Sequence, residues 1–516
     1  GRGYGVYSTG TYSTIINTNT LTYTTTLQGR HNIVSVAGSE FLQRTERSSS
    51  VQGRLFPSDD FTYITSAGVV DAGSSFMVQN GLISYFLQAN YDFDKKYFLT
   101  FNSRLDGSSR FGAGRRYGYF PAGSIGWAIS SEPFMENLQF IEDLKLRASY
   151  GVTGNERIGD FTFLGTWATS TYSGVTGTAP ASLSNPELQW ERTSEGTIGL
   201  DFSLWRGRVQ ANFDVYNNIT NELLFNQPLP STTGFGSFQG NVGKISNKGI
   251  ELGITTVNMN GNVNWTTSFN ISRNINKVVE LADTLPIFRG YSASGISNTN
   301  VIVPGQPLGS FWGLQFLGVD PATGDAIYED LNEDGIISPD DAMIIGNAQP
   351  DFLGGITNRI SYKGFDLNIF FQFSYGNDML NFSNTALLDA GEDLSNNQVI
   401  AALKRWQKPG DVTSIPRYES GNTQNNWHSS RFLEDGSFLR LKNLTLGYNI
   451  PSNLAGRAKM NTARIYASAT NIWTLTNYTG GDPEVSTLDG STAAQGIDFF
   501  TLPQVRTIML GLNFSF

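Results

Sequence analysis

Hydrophobic and polar residues alternate with period two along much of this chain, and the last stretch, Arg506 to Phe516, shows the pattern at its cleanest. Ile508, Leu510, Leu512, Phe514 and Phe516 fall on one face of an extended strand; Met509, Gly511, Asn513 and Ser515 fall on the other. Taken alone, that stretch fits two settings: the half-buried edge of a soluble sandwich, or a strand with one face in lipid and one in a lumen. The same alternation recurs upstream. Val209, Ala211, Phe213 and Val215 oppose Gln210, Asn212 and Asp214, and Val263, Trp265, Thr267, Phe269 and Ile271 oppose Asn264, Thr266, Ser268 and Asn270. Phe365 to Phe373 and Tyr97 to Phe101 repeat it. The polar face is mostly Asn, Ser, Thr and Gln, which suits a water-filled lumen better than the charged outer face of a sandwich.

The pattern predicts fifteen strands: 21–27, 31–41, 82–92, 96–106, 119–129, 144–151, 194–204, 208–217, 248–257, 262–270, 352–362, 365–375, 438–448, 462–470 and 506–516. Their connections alternate in length. Residues 28–30, 93–95, 205–207, 258–261 and 363–364 are tight turns, and 130–143 and 449–461 are moderate. Between them lie long loops at 42–81, 107–118, 152–193, 218–247, 271–351, 376–437 and 471–505. Short periplasmic turns and long extracellular loops are the asymmetry of an outer-membrane barrel, which puts Phe516 at the periplasmic end. The expected fold class is all-β, a transmembrane antiparallel β-barrel. Tyr91, Phe93, Tyr97, Trp205, Tyr362, Phe365 and Tyr448 stand beside the short turns, where aromatic rings form an interfacial girdle.

Composition agrees with this reading. Fifty-six glycines, 13% aromatics and 16% charged residues favour strands over helices, and no apolar run is long enough for a membrane-spanning helix. Cysteine is absent, so there is neither a disulfide framework nor a thiolate metal site. The charge balance, 35 basic against 45 acidic residues or −10, argues against nucleic acid as a partner. The start, Gly1-Arg2-Gly3-Tyr4, has no leader character, and the odd strand count places the first residues at the cell surface. We therefore expect residues 1–516 to be the C-terminal part of one barrel, with a plug domain and N-terminal strands lying upstream.

The sharpest chemical motif lies inside the longest loop, 271–351. Asp330, Asn332 and Asp334 occupy positions one, three and five of an oxygen-ligand loop; Gly335 allows the turn, Ile336 offers a carbonyl at seven, and Asp341 closes at twelve. That spacing suits a structural Ca²⁺, with Asp341 standing where a longer Glu is usual; a plain acidic turn is the other reading. A sensor role does not fit, since no helix pair flanks the loop. Catalysis has little to work with: the only histidines, His31 and His428, sit in no partner motif. Loop aromatics, among them Trp167, Trp190, Tyr291, Trp312 and Trp427, suit stacking on sugar rings or gripping peptide side chains, and equally loop packing or a protein partner.

Seven stretches in order resemble the SusC/RagA-type TonB-dependent outer-membrane transporters of Bacteroidetes. They are LDGSSRFG (105–112), LKLRASYGVTGN (144–155), NPELQWERT (185–193), GNVGKISNKGIE (240–251), DLNEDG with IIGNAQPDF (330–335 and 344–352), DGSFLRLKNLTLGY (435–448) and the terminal RTIMLGLNFSF. The resemblance implies a barrel of about 22 strands with a plugged lumen, of which this chain would supply roughly the last two thirds. It implies TonB, engaged through the missing N-terminal segment, a SusD-like lipoprotein lid, and oligosaccharide or peptide ligands. It also carries the calcium ligands Asp330, Asn332, Asp334, Ile336 and Asp341. The expectation is active import across the outer membrane, in contact with its lipid, without enzymatic activity. A non-transporting scaffold barrel in a larger complex is the runner-up, and a surface hydrolase or adhesin the third reading.

Overall fold

The computed structural model describes residues 3–281, 286–488 and 490–516. Fifteen strands form one large sheet in simple chain order: β1 Tyr4–Leu27, β2 His31–Arg54, β3 Val69–Phe93, β4 Tyr97–Ser108, β5 Tyr117–Ala128, β6 Ile141–Asn155, β7 Glu191–Leu204 and β8 Val209–Asn221, then β9 Lys244–Met259, β10 Val263–Glu280, β11 Phe352–Tyr362, β12 Phe365–Tyr375, β13 Phe438–Asn449, β14 Thr462–Thr476 and β15 Thr507–Ser515. All fifteen alternating segments are strands, each in its expected place. The described helices are short, such as Asn384–Leu387 and Ser452–Arg457, and none is long and apolar enough to cross a membrane.

Contacts divide the chain into two compact units: Gly1–Trp127, Ala148–Gly196 and Thr220–Val242, and Ala128–Arg147, Thr197–Ile219 and Gly243–Phe516. In the first unit the register sets one apolar face. Tyr23 pairs with Ser35, Leu87 with Ala37, and Ala89 with Phe101. Leu21, Leu87, Leu99 and Ile125 on this face are exposed, as lipid-facing side chains must be when lipid is left out of account. The opposite face carries Arg104, which donates to Asp106 at 2.7 Å and to Ser84 at 2.9 Å.

The first three strands depart from expectation. β1, β2 and β3 run for 24, 24 and 25 residues, whereas about 9–11 suffice to cross a bilayer. The stretch 42–81, expected as a long loop, is mostly strand, and only 55–68 connects β2 to β3. Roughly 13 surplus residues per strand, at about 3.3 Å each, carry a three-stranded ribbon some 40 Å along the strand direction past the length a crossing needs. Its sequence hid it for a physical reason. With water on both faces neither face need be apolar, so Thr, Ser, Tyr and Asn occupy both and the period-two signal vanishes.

In the second unit, β9 to β15 continue the pattern: Ile356 pairs with Phe371, Ile360 with Leu367, and Ala467 with Leu510. Leu510 on the terminal strand is 82% exposed. The long loops of this unit are not loose. The connections after β10, β12 and β14 supply a four-stranded sheet (Ile287–Arg289, Asn300–Ile302, Ser310–Gly313, Met343–Asn347) and a three-stranded one in which Asp378–Asn381 lies between Leu433–Asp435 and Ile497–Asp498. One core holds the three connections together: Phe311 from the first, Leu380, Phe382 and Phe432 from the second, Ala494 and Ile497 from the third. Loops this long carry enough apolar side chains to bury a core of their own, and here they share it.

The tight turns lie where expected. Asp94 and Lys95 both have positive φ, 54° and 57°, the two-residue geometry whose twist matches that of the flanking strands. The expected girdle residues Tyr97, Trp205, Tyr362 and Phe365 are exposed beside these turns, and Phe365 packs on Tyr448 with centroids 4.5 Å apart.

Candidate functional site

Within the second unit, the face opposite the apolar one is built from paired charges and amides. Arg147 on β6 donates to Asp201 Oδ2 at 2.6 Å and to Asp214 Oδ1 at 3.0 Å, bridging three neighbouring strands. The guanidinium crosses directly over Gly199, where a Cβ would lie 2.6 Å from Arg147 Nη2, so only glycine leaves it room. Arg464 pairs likewise with Asp366. Beside Arg147 the wall opens into a cavity of about 800 Å³ lined by Asp143, Asp201, Ser203, Gln210, Asn212 and Asn270. This is a hydrophilic surface whose charged side chains are engaged with neighbours across the strands, Arg147 with two carboxylates at once.

A second cavity, about 530 Å³, lies nearer the loops and is lined by Asn270, Phe370, Gln372, Phe438, Pro483 and Glu484. The last two belong to the connection between β14 and β15, which an ionic latch holds against the wall. Arg440 on β13, 1% exposed, pairs with Asp482, and its Nη1 stands 3.0 Å from Glu484 Oε2. Lys442, two residues along the same face, donates to Glu484 at 2.8 Å and 2.9 Å. Asp482 also accepts the backbone N–H groups of Glu484 and Gln504, joining both ends of the connection. Burial acts to raise the Asp482 pKa, but the bond from Arg440 and those two N–H groups outweigh it and hold the carboxyl below its ordinary value. Sequence reasoning missed this latch. Its trace is the Asp-Pro-Glu run facing an Arg-x-Lys strand, a pairing made by the fold and invisible to local spacing.

Of the five aromatic candidates, Trp167 and Trp190 belong to the first unit and Tyr291, Trp312 and Trp427 to the second. Trp190 is 6% exposed and packs on Phe111 and Phe120, centroids 5.3 Å away in each case, while its Nε1 donates to the Arg116 carbonyl. It is a core residue with no face left for a ligand: neighbouring connections of the first unit bury it with Leu188 and Ile158. Trp167 is 68% exposed, on an isolated hairpin of Trp167–Tyr172 and Val175–Pro180. Tyr291 stacks on Phe382 at 5.4 Å against the shared loop core. Trp312 and Trp427 join another cluster of the same loops with Leu314 and Tyr328. Both histidines have defined neighbours: His31 Nδ1 is 2.9 Å from the Tyr91 hydroxyl, and His428 is fully buried.

The acidic motif forms a tight loop. Gly335, at φ 81°, makes the turn. Asp330 accepts the N–H groups of Asp334 and Gly335, Asn332 accepts that of Asp334, and Asp334 accepts that of Ile336. Asp341 is buried and turned inward; one oxygen accepts the Leu331 N–H and the other the Ser338 N–H. The Ser338 bond, aided by those of Asn332 and Leu331, holds its carboxyl below the usual range. As placed, no group of three or more acidic or histidine side chains among the described residues is arranged to hold a metal ion. The donor chemistry nonetheless fits Ca²⁺, because each carboxylate oxygen that accepts one N–H keeps a second lone pair.

The family profile described as "TonB dependent receptor-like, beta-barrel" matches residues 1–472. The TonB-dependent receptor P3 of Formosa agariphila is 34% identical over all of this chain and 54% of its own length. The TonB-dependent receptor SusC of Bacteroides thetaiotaomicron is 30% identical over 94% of this chain and 48% of its own. Among solved structures, the RagAB peptide transporter superposes with a TM-score of 0.89 at 26% identity, covering 99% of this chain and 57% of that one. The RagAB peptide importer in its open-open state gives 0.86 at the same identity. The chain thus spans about half the length of the curated relatives it matches.

Proposed function

Since the chain belongs to the TonB-dependent receptor β-barrel family, as an outer-membrane barrel of SusC/RagA type, we propose that it is the C-terminal barrel portion of an active importer of oligosaccharides or peptides. In this reading a SusD-like surface lipoprotein closes over the long loops, and TonB acts through a plug and N-terminal segment outside these 516 residues. The observation that carries it is the superposition of 99% of this chain on 57% of the RagAB peptide transporter chain. The hydrophilic wall supports the same reading, because a wall whose charged groups are engaged with one another across the strands can line a path for a polar solute without holding it fast. The test is uptake by cells carrying the full-length gene. Deletion is expected to abolish accumulation of one labelled class of oligosaccharide or peptide while small porin substrates still enter. Unchanged uptake of every class, with the protein still recovered in a larger envelope complex, would favour a scaffold.

We further propose that Asp330, Asn332, Asp334, the Ile336 carbonyl and Asp341 hold a structural Ca²⁺, supplying oxygen ligands that knit the loop. Chelation is expected to speed proteolytic cutting within 330–341, because Asp330, Asp334 and Asp341 are left to repel one another. Identical cutting rates in EDTA and in excess Ca²⁺ would refute the site.

A further inference from the structure

Two places in the sequence put glycine directly after asparagine, Asn80-Gly81 and Asn260-Gly261. The pair is chemically distinctive: with no Cβ on the second residue, its backbone nitrogen can swing onto the side-chain carbonyl carbon of the asparagine before it. That attack needs an amide side chain free to turn, a backbone free of strand pairing, and open space around the glycine. In sequence the two pairs are equivalent. The fold separates them.

Asn80-Gly81 is held from several sides. Both residues lie inside β3, in register with Arg44 and Gln43 of β2. The Asn80 amide donates to Asp160 Oδ2 at 3.2 Å, the Gly81 N–H donates to Ser109 Oγ at 2.9 Å, and the Gly81 carbonyl accepts the Ser109 N–H. Asn260-Gly261 lies instead in the turn between β9, which ends at Met259, and β10, which begins at Val263. Both residues are exposed and outside the strand ladder, and the Asn260 side chain makes no hydrogen bond among the described residues. Nothing lies within 4 Å of where a Cβ on Gly261 would stand. One bond restrains this glycine: its N–H donates to Asn264 Oδ1 at 3.2 Å, the long end of the ordinary range, and Asn264 is itself exposed. The turn also stands in cationic company. Asn260 lines a cavity of about 970 Å³ together with Arg206 and Arg208, neither of which pairs with a carboxylate among the described residues. A negative charge formed at position 260 would be met by positive charge.

We propose that Asn260 is a site of spontaneous deamidation in the folded protein. The Gly261 nitrogen gives up its proton and bonds to Asn260 Cγ; the Cγ–Nδ2 bond breaks, and the side-chain nitrogen leaves as ammonia with that proton. Water then opens the five-membered imide at either carbonyl, leaving aspartate or its β-linked isomer and one added negative charge beside Arg206 and Arg208. The test uses the full-length protein in detergent, held at neutral pH, sampled over time, digested, and read by mass spectrometry for a gain of about 1 Da in each Asn-Gly peptide. Asn260 is expected to convert at least on the order of tenfold faster than Asn80, whose strand must open first. In urea-unfolded protein the two rates should converge. Gly261→Ala, whose added Cβ meets nothing, should leave the fold intact and slow conversion at Asn260 on the order of tenfold. Equal rates at the two sites in folded protein, or conversion of Asn260 only after unfolding, would overturn the site. Undiminished conversion in Gly261→Ala would overturn the imide route.

Discussion

Replacing Arg440 with methionine should free the β14–β15 connection from the barrel wall, at a local cost of about 3–5 kcal/mol. The magnitude comes from what is left behind rather than from the attraction lost. Arg440 and Asp482 are both buried, so removing the cation strands a carboxylate where water reaches it poorly. Glu484 keeps Lys442, which is why the damage should centre on Asp482 and Gln504 rather than on the whole connection. Amide hydrogen exchange should show residues 477–505 losing protection while β13 and β14 keep theirs. Adding Asp482→Leu to the same protein should recover much of the loss, because two apolar side chains replace a broken pair. Unchanged exchange in the single variant would show that the shared loop core alone holds the connection. The latch has a defined pH sense. The Asp482 pKa is depressed in the folded protein, so its contribution is complete above the unfolded carboxylate value and is lost as pH falls through the folded one. At neutral pH the latch is closed.

Acidification should loosen the loop assembly through His428. The ring is fully buried and edge-on to Phe382, centroids 6.1 Å apart. Burial drives its pKa from 6.5 down to about 4, against a smaller opposing pull from the Trp312 backbone. The unfolded loops therefore take up a proton that the folded loops refuse. Stability is untouched above about pH 6.5, falls between there and about 4, and levels off below. A drop of that size corresponds to about 3 kcal/mol. Limited proteolysis of the loops at pH 7 and pH 4.5 should show sharply faster cutting in acid. His428→Leu, which removes the titrating ring and leaves an apolar side chain in its place, should flatten the difference. Equal acid sensitivity in both proteins would assign the effect to carboxylates such as Asp482.

Much of this architecture was legible in the residues themselves. Every large-sheet strand was found, because a wall with lipid on one side and water on the other forces alternation, as Ile508 to Phe516 and Val209 to Val215 show. The turns were legible for a similar reason, since Asp94-Lys95 and Lys363-Gly364 sit where a two-residue reversal must. The signal failed wherever that asymmetry failed. The ribbon of β1 to β3 beyond the membrane has water on both faces, and its strand character passed for loop.

The candidate site was legible only in part. The acidic motif of 330–341 could be read because its oxygens come from twelve consecutive residues. Trp190 could not be placed, because an aromatic in a loop looks the same whether it awaits a ligand or fills a core. Sequence by itself determined the number and order of the large-sheet strands, their two chemically distinct faces and the family, all of which follow from local periodicity and short motifs. Tertiary structure alone decided that three connections share the core of Phe311, Leu380 and Ile497, that Arg440 latches Asp482 from 42 residues away, and that Asp160 and Ser109 hold Asn80-Gly81 while Asn260-Gly261 stays open. Those pairings join residues far apart in the chain, and no period within a strand records which distant loop will fold back upon it.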